Sequence, residues 1–166
     1  MSRKIRYCSQ FKTITKLCET IILVKFMYNE QLKKLRIERE ITQEQIANII
    51  GIERSHYAHY ELGDRLMPID YLNKVCNFYN ISLDYMFNLT KTLNYNDNKK
   101  ELDLLSSSER LKNFRKNQKL TQSKLANILN IANSLISDYE KGKRFISSHA
   151  IYTICKKYHI SADYLL

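Results

Sequence analysis

The sequence predicts an all-α chain made of two tandem copies of one small domain. Three observations lead there. Only three glycines and one proline occur in 166 residues, too few for a turn-dense β fold or a Gly-rich phosphate loop. The sequence matches itself without a gap at an offset of 79, from Leu32 on Leu111 to Phe87 on Leu166, which marks a duplicated unit. Within each copy, apolar residues recur at helical spacing between capping residues.

The first helix of a copy carries Leu32 and Leu35, or Leu111 and Phe114, and ends before Thr42 or Thr121. Those threonines suit the N-cap of a brief second helix, whose apolar face is Ile46, Ala47 and Ile50, or Leu125, Ala126 and Leu129. This helix stops at Gly51 in one copy and at Asn130 in the other. Gly and Asn enter the left-handed backbone region at the least cost, so both copies make the same sharp turn by different means. A third helix runs from about Glu53 to Leu62, or Ala132 to Lys141, with Tyr57 and Tyr60, or Ile136 and Tyr139, facing inward. Gly63 and Gly142 stand where a C′ glycine belongs. Two more short helices follow, the fourth opened in copy one by Pro68.

Other repeated residues read blandly. Tyr60, Tyr139, Tyr85 and Tyr164 take core-like positions, and Cys76 and Cys155 read as buried thiols acting as small hydrophobes. Asp84 and Asp163 read as cap-region or surface residues. The copies occupy residues 27–90 and 107–166, joined by a polar linker at 91–106. Near its end, Ser106 and Glu109 have capping-box spacing, and Ser108, equivalent to Asn29, is as good an N-cap.

Twenty-seven Lys and Arg against seventeen Asp and Glu give a net charge of +10 and a pI near 9.4, which points to a polyanionic partner. The charge is unevenly spread. Residues 27–90 hold seven basic and nine acidic residues, whereas 110–166 hold eleven and three. The longest apolar run, Ile21 to Val24, is four residues, far short of the about 20 that a bilayer span needs. The four cysteines form no CxxC pair, so reduced thiols and a cytoplasmic location are expected rather than a zinc knuckle or disulfide scaffold.

A helix, a tight turn and a second helix that presents polar residues is the arrangement that lays a recognition helix in the major groove. The strings TQEQIANIIGIERSHYAHYELGDR with ISLDYMF, and TQSKLANILNIANSLISDYEKGKR with ISADYLL, closely resemble the Cro/repressor-type (XRE-like) helix-turn-helix family. The resemblance implies two tandem five-helix, phage-repressor-like helix-turn-helix domains. It further implies that Gln43 and Gln122 contact backbone phosphate and support the recognition helix. Base contact falls to Arg54, Ser55 and His59 in copy one, and to Asn133, Ser134 and Asp138 in copy two, with Ser137 on the same face. Arg65, Lys143 and Arg144 hold phosphate, and buried ion pairs join Arg36 to Glu61 and Arg115 to Glu140. The side-chain chemistry agrees in part, since Arg pairs with guanine O6 and N7 and Asn with the adenine N6/N7 edge. Copy one departs from the pattern, because Asp64 replaces Lys143 and Glu53 precedes the recognition face, and both repel phosphate.

The expected function is therefore a sequence-specific double-stranded DNA-binding transcription regulator, a repressor of bacterial or phage origin, with copy two as the stronger anchor. The alternative is an adaptor or antitoxin-like regulator in which copy one binds a protein. No paired carboxylates, activated nucleophile or metal cluster stands out, so neither an enzyme nor a cofactor is expected, and His56 with His59 reads as a solvated helix face. One chain is expected to act as an intramolecular pseudo-dimer. Apolar Tyr164, Leu165 and Leu166 at the chain end favour instead a homodimer. No separate effector domain is expected after them, so a signal is expected to act through a partner, the linker or oligomerisation. Residues 1–26, which copy two lacks, are either an artefact of start-codon choice before Met27 or an ordered or DNA-contacting arm.

Overall fold

The computed structural model describes residues 28–92 and 101–166, which form ten helices and no strand. The N-terminal extension and the middle of the linker lie outside them. Copy one contains α1 (helical over 28–38), α2 (Gln43–Ile50), α3 (Arg54–Leu62), α4 (Ile69–Tyr79) and α5 (Leu83–Met86). Copy two repeats the order as α6 (Leu104–Asn117), α7 (Gln122–Leu129), α8 (Asn133–Glu140), α9 (Ser148–Tyr158) and α10 (Ala162–Leu165). None of these helices is long and apolar enough to cross a membrane.

Local chemistry sets most boundaries. Thr42 opens α2 with a complete capping box, accepting from the Gln45 N–H at 3.2 Å while Gln45 Oε1 accepts from the Thr42 N–H at 2.8 Å. Thr121 opens α7 in the same way through the Lys124 N–H. The helix-ending turns of α2 and α7 are both left-handed, at φ 76° for Gly51 and φ 50° for Asn130. A Cβ built on Gly51 meets nothing within 4 Å, so the cost of a side chain there is backbone strain alone. Gly51→Ala is expected to lower stability by about 1 to 2 kcal/mol. Gly51→Asn, the residue copy two uses, should cost less than half as much, and paired urea titrations give the ranking.

Three expectations near the linker and the chain end are corrected. Helix α6 starts at Leu104, with Asp103 as N-cap accepting from the Leu105 and Ser106 N–H groups. Ser106 and Ser108 therefore lie inside the helix rather than capping it. A carboxylate at the positive end of a helix outbids a hydroxyl. Tyr164 is 59% exposed, so it is no core residue, whereas Leu165 and Leu166 are buried at 0% and 3%. They cannot form an exposed dimerisation patch.

The apolar cores of both copies merge into one cluster, from Leu32, Ile46 and Tyr57 to Leu111, Leu125 and Ile136. Phe87 meets Tyr152 of the other copy edge-on at 6.0 Å between ring centres. The Met67 backbone is satisfied from both sides of this junction: its N–H donates to the Tyr28 hydroxyl at 2.8 Å, and its carbonyl accepts from Ser148 Oγ at 3.0 Å. Burial pushes the Tyr28 phenol up to about 12.

Helices α5 and α10 form a seam with reciprocal polar contacts. The Asp163 carboxylate accepts from the N–H groups of Leu83, at 3.0 Å, and Asp84, at 3.2 Å. In return Asp84 Oδ1 accepts from the Ala162 N–H at 2.7 Å. Each carboxylate thus satisfies amide donors left open at the first turn of the other copy's four-residue helix. Helices this short are marginal alone, and here each is completed by its repeat. Contact of one element with its own equivalent is the pattern of a two-fold interface, built inside one chain.

Candidate nucleic-acid interface

In both copies the recognition helix is clamped to the core by one buried ion pair. Arg36 donates from Nε to Glu61 Oε2 at 2.8 Å and from Nη2 to Oε1 at 2.6 Å, while its Nη1 reaches the Ile41 carbonyl at 3.0 Å. Arg115 repeats this with Glu140 and the Leu120 carbonyl. The two glutamates retain only 4% side-chain exposure, so the fork-to-fork geometry holds in a poorly solvated place. Burial pushes the Glu140 carboxyl up, but hydrogen bonds from Arg115 and Gln122 outweigh it and leave the group below the usual carboxylate range.

Gln122 is the first residue of α7, and its Nε2 donates to Glu140 Oε2 at 2.8 Å. The start of the second helix in copy two is thereby tied to the end of the third. Asn133 and Ser134 are exposed on the first turn of α8, and Ser137 and Asp138 lie half-buried one turn on. Lys143 and Arg144, 64% and 58% exposed, reach the two oxygens of Asp138, each at 3.7 Å. The predicted phosphate anchors and Asp138 therefore form one cluster at the C-terminal end of α8.

Copy one keeps the frame and changes the charges. Arg54 opens α3 and lines a cleft of about 660 Å³ together with Gln43, Arg36, Ile37, Glu40 and Glu44. Ser55 Oγ donates to Glu53 Oε2 at 3.3 Å. His59 Nδ1 lies 3.2 Å from Asp64 Oδ2. The equivalent positions in copy two hold Asp138 and Lys143, so the acidic residue of the pair stands on the helix in copy two and beyond its end in copy one. Arg65 is exposed beyond the helix end. The cleft also shows two residues that motif matching missed. Lys116 and Lys119 stand in copy two where Ile37 and Glu40 stand in copy one, and both are exposed. Only the repeat offset, applied to cleft residues, singles them out.

Among the described residues no group of three or more potential ligands is placed to hold a metal ion. His56 and His59 share α3 without a third partner of that kind.

Comparison with known proteins agrees with this frame. The chain is 39% identical over 64 residues to the HTH-type transcriptional regulator YobD of Bacillus subtilis (strain 168), covering 39% of this chain and 57% of that protein. It is 40% identical over 60 residues to the HTH-type regulator YqaE of the same strain, covering 36% and 52%. To the cryptic phage CTXphi transcriptional repressor RstR of Vibrio cholerae it is 32% identical over 57 residues, covering 34% and 51%. The chain thus spans about half the length of the curated relatives it matches. No solved structure matches it significantly. The helix-turn-helix domain family matches twice, over residues 29–91 and 108–166, each match holding one clamped recognition helix, and the chain belongs to that family in two tandem copies.

Proposed function

We propose that the chain is a sequence-specific, double-stranded DNA-binding transcription regulator, a repressor of bacterial or phage type acting in the cytoplasm. One chain occupies one asymmetric site as an intramolecular pair. The observation that carries this reading is the duplicated, clamped helix-turn-helix whose copies meet through a reciprocal seam. The reciprocal bonds between α5 and α10 support it, because a two-fold relation between the copies would set α3 and α8 in corresponding positions, as the recognition helices of a dimer are. In this reading Gln43, Gln122, Arg65, Lys143 and Arg144 hold phosphate. Arg54, Ser55 and His59 read one half-site, with a preference for guanine under Arg54. Asn133, Ser134, Ser137 and Asp138 read the other, with adenine under Asn133.

Selection of bound sites from a random duplex pool, followed by footprinting and sedimentation of the complex, tests it. The expected result is one chain protecting two unlike half-sites about 34 to 36 Å apart. Two chains on a palindrome, or protection of a single half-site, overturns the pair.

One observation favours a second reading for copy one. Its cleft carries Ile37, Glu40 and Glu44 where copy two carries Lys116, Lys119 and Ser123, and Ile37 is 56% exposed. With Arg36 already paired to Glu61, the two glutamates outnumber Arg54 in this partly apolar cleft, which suits a basic protein segment better than phosphate. Under that reading the charge swap I37K/E40K/E44S leaves DNA affinity unchanged and abolishes partner binding. A clear gain in affinity for duplex DNA would show that this cleft faces phosphate after all.

A further inference from the structure

We infer that Asp84 and Asp163 are positioning residues which fix the half-site spacing that the chain accepts, although neither lies on a recognition helix. The inference rests on the two-site reading above. Two kinds of contact join the copies, and they constrain different things. The apolar ones, such as Phe87 against Tyr152 within the merged core, hold the copies together without a preferred direction. The carboxylate-to-amide bonds at 2.7, 3.0 and 3.2 Å are directional and weaken steeply when misaligned. They also act on backbone rather than on flexible side chains. Asp163 uses both oxygens on consecutive amides of α5, and Asp84 returns one bond to α10. Three such bonds on two short helices, with the Ser148 hydroxyl on the Met67 carbonyl as another directional contact across the junction, set the angle and register at which α5 meets α10.

The distance between α3 and α8 follows from that register. A slip along the seam would keep most of the apolar area buried while moving the two reading heads relative to each other. Duplex DNA is an exacting ruler for such a slip. Each base pair adds about 3.4 Å of axial rise and about one tenth of a helical turn, so an error of one or two base pairs turns a half-site away from the protein. The carboxylates therefore convert a loosely specified apolar junction into one that reads spacing.

The test uses the full chain and a duplex series in which the two selected half-sites are separated by about 8 to 13 base pairs, centre to centre. The wild-type chain should prefer one spacing by about tenfold or more over its neighbours, given that charged hydrogen bonds of this kind resist displacement. In D84A/D163A the profile should flatten to less than about threefold, while affinity for an isolated copy-two half-site stays within about twofold. D84N keeps the single acceptor that Asp84 uses and should retain the peak. D163N keeps one of two acceptors and should broaden it. A D84A/D163A profile as sharp as wild type overturns the inference, as does an equal loss at every spacing and at the isolated half-site. If the double variant fails to fold, the graded pair decides, since an unchanged peak in D163N also overturns it. A wild-type chain with no preferred spacing sinks the two-site reading itself, a different result from a failure confined to the variants.

Discussion

K143A/R144A is expected to weaken binding to every duplex, specific or not, by about ten- to a hundredfold at moderate salt. With both copies docked on about 6 to 8 phosphates, the wild-type log-log salt slope should be roughly −5 to −7, and removal of two contacts should flatten it by about 2. Titrations at several salt concentrations give both quantities. The exposed pairing of Lys143 and Arg144 with Asp138 is weak, so phosphate displaces it readily. Asp138→Asn should accordingly raise affinity for non-cognate DNA while changing the preferred bases. A double variant that binds as tightly as wild type at all salt concentrations removes copy two from the role of anchor.

The other large effect concerns the clamp. Glu140→Ala leaves Arg115 buried without its carboxylate, and loss of one partner of such a pair costs about 3 to 5 kcal/mol. Copy two should lose cooperative unfolding near neutral pH or shift its urea midpoint strongly. The pH dependence has a fixed sign. The folded-state carboxyl of Glu140 sits below its ordinary 4.5, so its stabilisation is complete above that value and disappears as pH falls through the depressed one. The gap between wild type and Glu140→Ala should therefore be widest near pH 7 and narrow on acidification. A gap independent of pH would mean that the ionised pair contributes nothing, and packing alone explains the loss.

Much of this was legible in the sequence because it is local. Thr42 and Thr121 as caps, the Gly51 and Asn130 turns, and the inward Tyr57 and Ile136 all follow from residues a few positions apart. The Arg36–Glu61 and Arg115–Glu140 pairs span 25 residues and were reached by resemblance. Features decided by tertiary contact were not legible. Asp84 and Asp163 look like ordinary first-turn acids until the other copy supplies amides for them to accept from. Leu165 and Leu166 looked exposed because the partner surface that covers them lies elsewhere in the chain. The start of α6 was missed for the opposite reason, since three serines offered plausible caps and Asp103, a stronger one, lay just ahead of them. As for the reading residues, the structure gives Arg54 and Asn133 an exposed first-turn position, while which bases they meet depends on DNA.

The buried thiols next to the seam give the molecule an internal clock. Burial and the nearby Asp163 push the Cys76 thiol up, and burial with Asp84 and Asp163 takes Cys155 to about 12. The thiolate is the reactive form, so burial and the raised thiols slow the reaction of both cysteines in the folded chain. They become alkylatable only through transient opening. With Cys8 and Cys18 replaced by Ser, the labelling rate of the remaining two cysteines measures how often the core beside the seam opens. An operator that grips both halves should slow that clock, whereas DNA held by copy two alone should leave it running at its free rate.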